Sequence, residues 1–176
     1  MTPEDIAKSL YYDGDMWADF VPGEYILSGT PDEVEVVFGY GERDGTPLTE
    51  DEIKFIRSAV ELVPELQSKL REWIVDYYRT FHRKYATELA KHGEALPDPS
   101  EMDPESIDHC TCLTGLFIYQ LADMPKPYLG FGFSCNWDRE HGVGFMTYDK
   151  SLVEIGGADT PLLRWIAERH ARDLPR

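Results

Sequence analysis

Tyr128-Leu129-Gly130-Phe131-Gly132-Phe133-Ser134-Cys135-Asn136-Trp137 alternates with a period of two. Leu129, Phe131, Phe133, Cys135 and Trp137 fall on one side of an extended chain; Gly130, Gly132, Ser134 and Asn136 fall on the other. The pattern predicts a strand with one strongly apolar face. It has company on both sides. Residues 143–148 and 151–155 predict a hairpin turning through Asp149-Lys150 and ending at Gly156-Gly157. Residues 109–120 predict another strand, with Cys110, Cys112, Leu116 and Ile118 sharing a side.

Upstream the periodicity changes. Thr49-Glu50-Asp51-Glu52 is a capping box, in which a hydroxyl and a carboxylate three residues apart satisfy the first free amides of a helix. Ile53, Ile56, Val60 and Val63 follow at helical spacing. Pro64 lacks an N–H and predicts a break or kink, with a second helix beyond it. That second helix carries one broad apolar stripe, Leu66, Leu70, Trp73, Ile74, Tyr77, Phe81 and Tyr85, and should end near His92-Gly93. The stripe reads as core, with part of it available as a partner face. Strands, long helices and an antiparallel meander together predict an α+β fold, an antiparallel sheet with long helices packed on one face.

The remainder completes one domain over 1–176. It comprises acidic N-terminal strands (1–48), a helical region (49–93), an acidic loop (94–108), the antiparallel sheet (109–157) and a C-terminal helix (160–172). In the first region Thr2-Pro3-Glu4-Asp5 predicts a short opening helix. Residues 24–29 and 33–38 predict strands, and Gly39, Gly41 and Asp44-Gly45 a loop. Pro97, Pro99 and Pro104 among acids mark the exposed loop.

Charge is the strongest compositional feature. The 176 residues hold 17 Lys+Arg against 33 Asp+Glu, a net charge of −16. Residues 1–52 hold 14 acidic and 2 basic residues, and residues 94–123 hold 7 acidic and none basic. Residues 66–93 hold 6 basic and 3 acidic, and the rest balances. Such a chain is unsuited to nucleic acid or an anionic membrane, whose recognition relies on basic surfaces. It fits a basic partner, a cation or solubility alone. The acidic start and the lack of a long apolar run predict a cytoplasmic protein, and three cysteines suit a reducing compartment. Monomer and homodimer both remain open.

Polar chemistry concentrates where the alternating strand ends, in Trp137-Asp138-Arg139-Glu140-His141-Gly142. Asp138, Glu140 and His141 offer carboxylates and an imidazole within four residues, a set that serves acid–base catalysis or holds a divalent metal. The same residue types build ordinary turns, in which an Asp side chain caps backbone amides, and that reading takes precedence. Cys110, Cys112 and Cys135 with His109 or His141 form a weaker candidate metal set, because the spacing matches no finger or ribbon. Cys135 as a nucleophile assisted by His141 is disfavoured by its place on the apolar face. Asp13-Gly14-Asp15 through Asp19 lacks the terminal Glu of a calcium loop and reads as an acidic turn. No phosphate loop, dinucleotide fingerprint, zincin or nucleophile-elbow motif is present.

Residues 128–144 contain Cys-x-Trp-Asp-x-Glu-His-Gly-x-Gly, and Gly156-Gly157-Ala158-Asp159 follows the hairpin. This combination, with acidic strands and a long helix bearing Tyr77-Tyr78 upstream, resembles an uncharacterised bacterial domain family over about residues 30–160. The resemblance implies the fold and a bacterial cytoplasmic origin, and it gives no residue a catalytic role. The function expected from the sequence is a non-enzymatic acidic protein-binding module for a basic partner, of the kind found in small immunity proteins. A metal-dependent hydrolase using Asp138, Glu140 and His141 is the alternative; otherwise no cofactor is expected.

Overall fold

The computed structural model describes residues 1–30, 32–39, 45–93 and 95–174. Gly41 and Asp44 of the expected loop lie outside the described residues. Among the described residues, seven strands form one sheet in chain order: β1 (Tyr11–Tyr12), β2 (Trp17–Pro22), β3 (Glu33–Phe38), β4 (Thr111–Tyr119), β5 (Tyr128–Cys135), β6 (Val143–Tyr148) and β7 (Ser151–Gly156). Every neighbouring pair is antiparallel except β3 and β4, which run parallel. A parallel pair cannot be joined by a hairpin and needs a crossover. Here the crossover is the long helix α2 (Glu50–Lys91), which the parallel pair places on one sheet face. The fold is thus α+β with a mixed, mostly antiparallel sheet.

Both helix starts follow their caps. Thr2 and Asp5 cap α1 (Pro3–Ser9), and Thr49 and Glu52 cap α2 reciprocally. The break expected at Pro64 does not occur; the helix runs through it for 42 residues. Pro64 itself lies on the exposed side of the helix, away from the sheet. On the other side Ile56, Ala59, Val60 and Val63 before it, and Leu66, Leu70 and Ile74 after it, are buried in one continuous core. Packing of both halves against the same sheet outweighs the local cost of the proline.

That core joins α1 and α2 to one face of the sheet, through Val34, Val36, Leu116, Leu129, Phe131, Phe133 and Phe145. The other face carries a second cluster, in which Val37, Phe117, Tyr128 and Met146 meet Ile166 and Ala167 of the terminal helix α3 (Arg164–Asp173). The long helix is therefore on one face and the short one opposite. On the face of α3 the 3₁₀ turn Thr160–Leu162 lies against the glycines of β5 and β6. The expected hairpin forms at Asp149-Lys150, both with positive φ as a tight type I′ turn requires.

Residues 24–29 are not a strand. Gly23–Tyr25 is a 3₁₀ turn; the Leu27 N–H donates to the Gly23 carbonyl, and the Gly23 N–H to that of Asp32. Flanked by Gly23 and by Gly29 at φ +88°, the segment reverses the chain. The strand it turns from is β2, whose Trp17, Asp19 and Val21 alternate with Ala18, Phe20 and Pro22.

Candidate functional site

The turn after β5 is built from its own residues. Asp138 is largely covered, and its Oδ1 accepts both the backbone N–H of His141 at 3.1 Å and a bond from its ring Nδ1 at 3.0 Å. The Gly142 N–H donates to the Asp138 carbonyl at 2.9 Å, with Gly142 at φ +59°. This is the turn chemistry expected of a carboxylate two or three residues before exposed amides. His141 is exposed, and the hydrogen bond to Asp138, then its charge, raises the imidazole pKa above its ordinary value. Glu140 is exposed on the same turn.

Because the folded protein holds the His141 proton more tightly, this contribution to stability is present below the imidazole's unfolded pKa. It disappears as pH rises through the folded value. Asp138→Asn keeps an acceptor for the backbone amide and removes the charge. We expect it to lower the His141 titration midpoint, followed by NMR, toward the ordinary imidazole value, with Glu140 and Asp159 still raising it.

A groove of about 1030 Å³ opens beside this turn. Tyr77, Phe81 and Tyr85 of α2 form one wall; Asp138, His141 and Asp159 belong to the other. At roughly 1.5 Å per residue α2 is about 63 Å long, about twice the reach of the nine-residue β4. Its C-terminal turns therefore outrun the sheet: the expected stripe passes from half-buried Tyr77 to 38% exposure at Tyr85, and the neighbouring Tyr78, outside that stripe, is the tyrosine that joins the core. Burial, then the Asp138 charge, raises the Tyr77 pKa. Trp137 is only 7% exposed and meets Tyr78 edge-on at 4.9 Å, locking the turn to the helix.

The cysteines separate. Cys110 is the C-cap of the 3₁₀ turn Ile107–His109 and is not extended, so the two-residue period does not carry it onto the face of Cys112. A register shift between Leu113 and Gly115 then exchanges the faces of β4. Leu113, Leu116 and Ile118 face α2, whereas Cys112 pairs with Ser134 on the opposite side and its thiol approaches Asp32 at 3.5 Å. Cys135 donates to the Asp138 carbonyl at 3.3 Å, and burial pushes its thiol up to about 11, away from thiolate chemistry. His109 is exposed at the end of its turn. Among the described residues, no three His, Cys, Asp or Glu side chains are grouped to hold a metal ion.

The two acidic stretches approach each other where Gly29 adjoins Asp108. Among the described residues, Arg71 is the only basic side chain of 66–93 paired with a carboxylate of either stretch; it forks onto Asp108. Arg79 and Lys91 pair within the helix, and Lys69 donates to a carbonyl. Glu4 is bridged by Lys8 and lies 3.8 Å from Arg57, and Asp51 is bridged by Lys54. Asp13, Asp15, Asp19, Glu24, Glu33 and Glu35 have no basic partner among the described residues. Glu33 and Glu35 share a sheet face with Phe20, one of three exposed aromatics that sequence reasoning overlooked: Phe20 is 56% exposed, Tyr11 55% and Tyr25 44%. The missed signal was the alternation across 17–22, obscured by reading 13–19 as an acidic turn. The turn itself is real, since Asp13 caps the amides of Asp15 and Met16.

No helix among the described residues is long and apolar enough to cross a membrane. No curated protein and no solved structure matches the chain. The family model described as a domain of unknown function (DUF6985) matches residues 6–163.

Proposed function

From a chain that belongs to the uncharacterised bacterial family DUF6985, we propose a non-enzymatic protein-binding module that takes a basic partner protein, as an immunity-type protein takes a toxin domain. The observation that carries this reading is the acidic excess left over by the fold. Among the described residues, the basic side chains of 66–93 meet the acidic stretches through Arg71 and Asp108, and Lys54 and Arg57 add Asp51 and Glu4, which leaves Asp13, Asp15, Asp19, Glu24, Glu33 and Glu35 without a described basic partner. Unpaired carboxylates on a protein surface speed encounter with a cationic partner and discriminate against anionic ones. The Asp138–His141 pair is occupied in capping its own turn. The nearest thiol is buried and held protonated, which supports a structural part for that turn.

The test is capture of host proteins on the immobilised chain at low salt. We expect a basic protein to be retained, with an association rate that falls steeply as salt is raised. Retention of neutral or acidic proteins that is insensitive to salt, or of none, would contradict the reading. Zinc added to the purified protein should leave its melting unchanged; a stoichiometric metal lost in His141→Ala would favour hydrolysis instead.

A further inference from the structure

We infer that the outer face of β1–β3, opposite α2, is the docking surface for a basic protein segment, with Phe20 as its apolar anchor. This rests on the binding role proposed above and gives it a place. Directly opposed residues in an antiparallel pair share a face. Tyr11 opposes Ala18, Phe20 opposes Glu35, and Pro22 opposes Glu33, so Tyr11, Phe20, Glu33 and Glu35 lie together on one side. The α3 cluster covers Ala18 and Val37 and leaves Phe20 and Tyr11 more than half exposed. A strand that turns a phenylalanine to solvent between carboxylates loses burial there and gains nothing within the monomer.

Charge complementarity selects the occupant. Glu33 and Glu35 flank Phe20, and no basic side chain among the described residues pairs with either. Glu35 is partly buried, and its carboxyl pKa is raised by that burial and then by the charge of Asp13. The attraction of a cation from outside would offset both the cost of covering Glu35 and its repulsion by Asp13. A second copy meeting through this same face would bring the same carboxylates to the contact, and two chains of −16 repel each other at long range. An arginine- or lysine-bearing segment with an apolar residue beside the cation fits both Phe20 and its neighbours.

The probe is a synthetic peptide alternating arginine and leucine, with citrulline replacing arginine in the control, titrated into the full chain at low salt. Backbone amide shifts map the contact and calorimetry gives the affinity. We expect shifts on residues 17–22 and 33–37, with no comparable response to the citrulline peptide. Phe20→Ala should weaken binding about fivefold or more. The double variant Glu33→Gln/Glu35→Gln should weaken it and flatten its salt dependence. Both alter exposed or half-exposed side chains and should fold. Glu140→Gln/Asp159→Asn, in the groove, removes the same charge and should bind as the parent does. Binding that maps to the groove, or survives the face variants unchanged, overturns this docking surface and leaves the basic-partner reading standing. Absence of arginine-dependent binding overturns both.

Discussion

Gly144→Ala is expected to destabilise the protein by about 3 kcal/mol or more, among the largest effects of any single methyl group added to this fold. A Cβ at that position would lie 2.4 Å from the Gly157 carbonyl oxygen and 2.5 Å from Pro161 Cδ. Neither can yield cheaply. The Gly157 carbonyl accepts the Thr160 N–H, and the Pro161 carbonyl accepts the Tyr119 hydroxyl at 2.7 Å. Relief requires the 160–163 segment to lift from the sheet, taking with it the start of α3. Hydrogen exchange should therefore rise in α3 before it rises in β5. Gly132 is the cross-strand partner of Gly144 and gives the control. Its added Cβ would find nothing nearer than 3.6 Å, an ordinary contact, so Gly132→Ala should cost under about 1 kcal/mol. Equal effects of the two substitutions in thermal unfolding would show that Pro161 does not pack as described.

Trp137→Ala is the second large effect, about 3–5 kcal/mol for deletion of a buried indole. In a chain of this size that lowers Tm by roughly 10 °C. The loss should spread along a defined path. Trp137 packs edge-on against Tyr78, whose hydroxyl donates to the Pro97 carbonyl, so the signature turn, the long helix and the acidic loop are tied in series. Faster exchange near His141 and around Pro97, with β2 and β3 unaffected, is the expected signature. Trp137→Phe, which keeps a ring against Tyr78, should recover much of the loss. A Trp137→Ala protein as stable as the parent would remove the proposed structural reason for the turn's tryptophan.

The path from sequence to fold was shortest where a local signal and the tertiary demand agreed. Thr49 to Glu52, the alternation from Leu129 to Trp137, and Asp149-Lys150 each specify an element through the few residues that form it. Elements set by distant packing were harder to read. Pro64 argues locally for a break, and only the sheet beneath both halves of α2 keeps the helix whole. The parallel pairing of β3 with β4 is a property of the crossover and leaves no mark in either strand. The extra residue in β4 exchanges its faces, which no period of two can anticipate. At the candidate site, the Asp138 turn was legible because its chemistry is local. The exposed aromatics were hidden because exposure depends on what fails to cover a strand. Phe20 belongs to a half-buried pattern until α3 is seen to stop short of it.

These findings divide the molecule into a cap and a face. The conspicuous motif fastens a turn, and the diffuse acidity is the surface we propose for recognition. A photo-crosslinking experiment in the native host tests this division most directly, with a benzophenone amino acid placed at Phe20 in one variant and at Tyr85 in another. Phe20 marks the acidic sheet face, and Tyr85 marks the groove beside the turn. The account predicts a crosslink from position 20 to a lysine- or arginine-rich segment of one basic protein, lost when Glu33 and Glu35 are neutralised, and none from position 85. A crosslink from position 85 alone, or a position 20 partner without basic character, would contradict it.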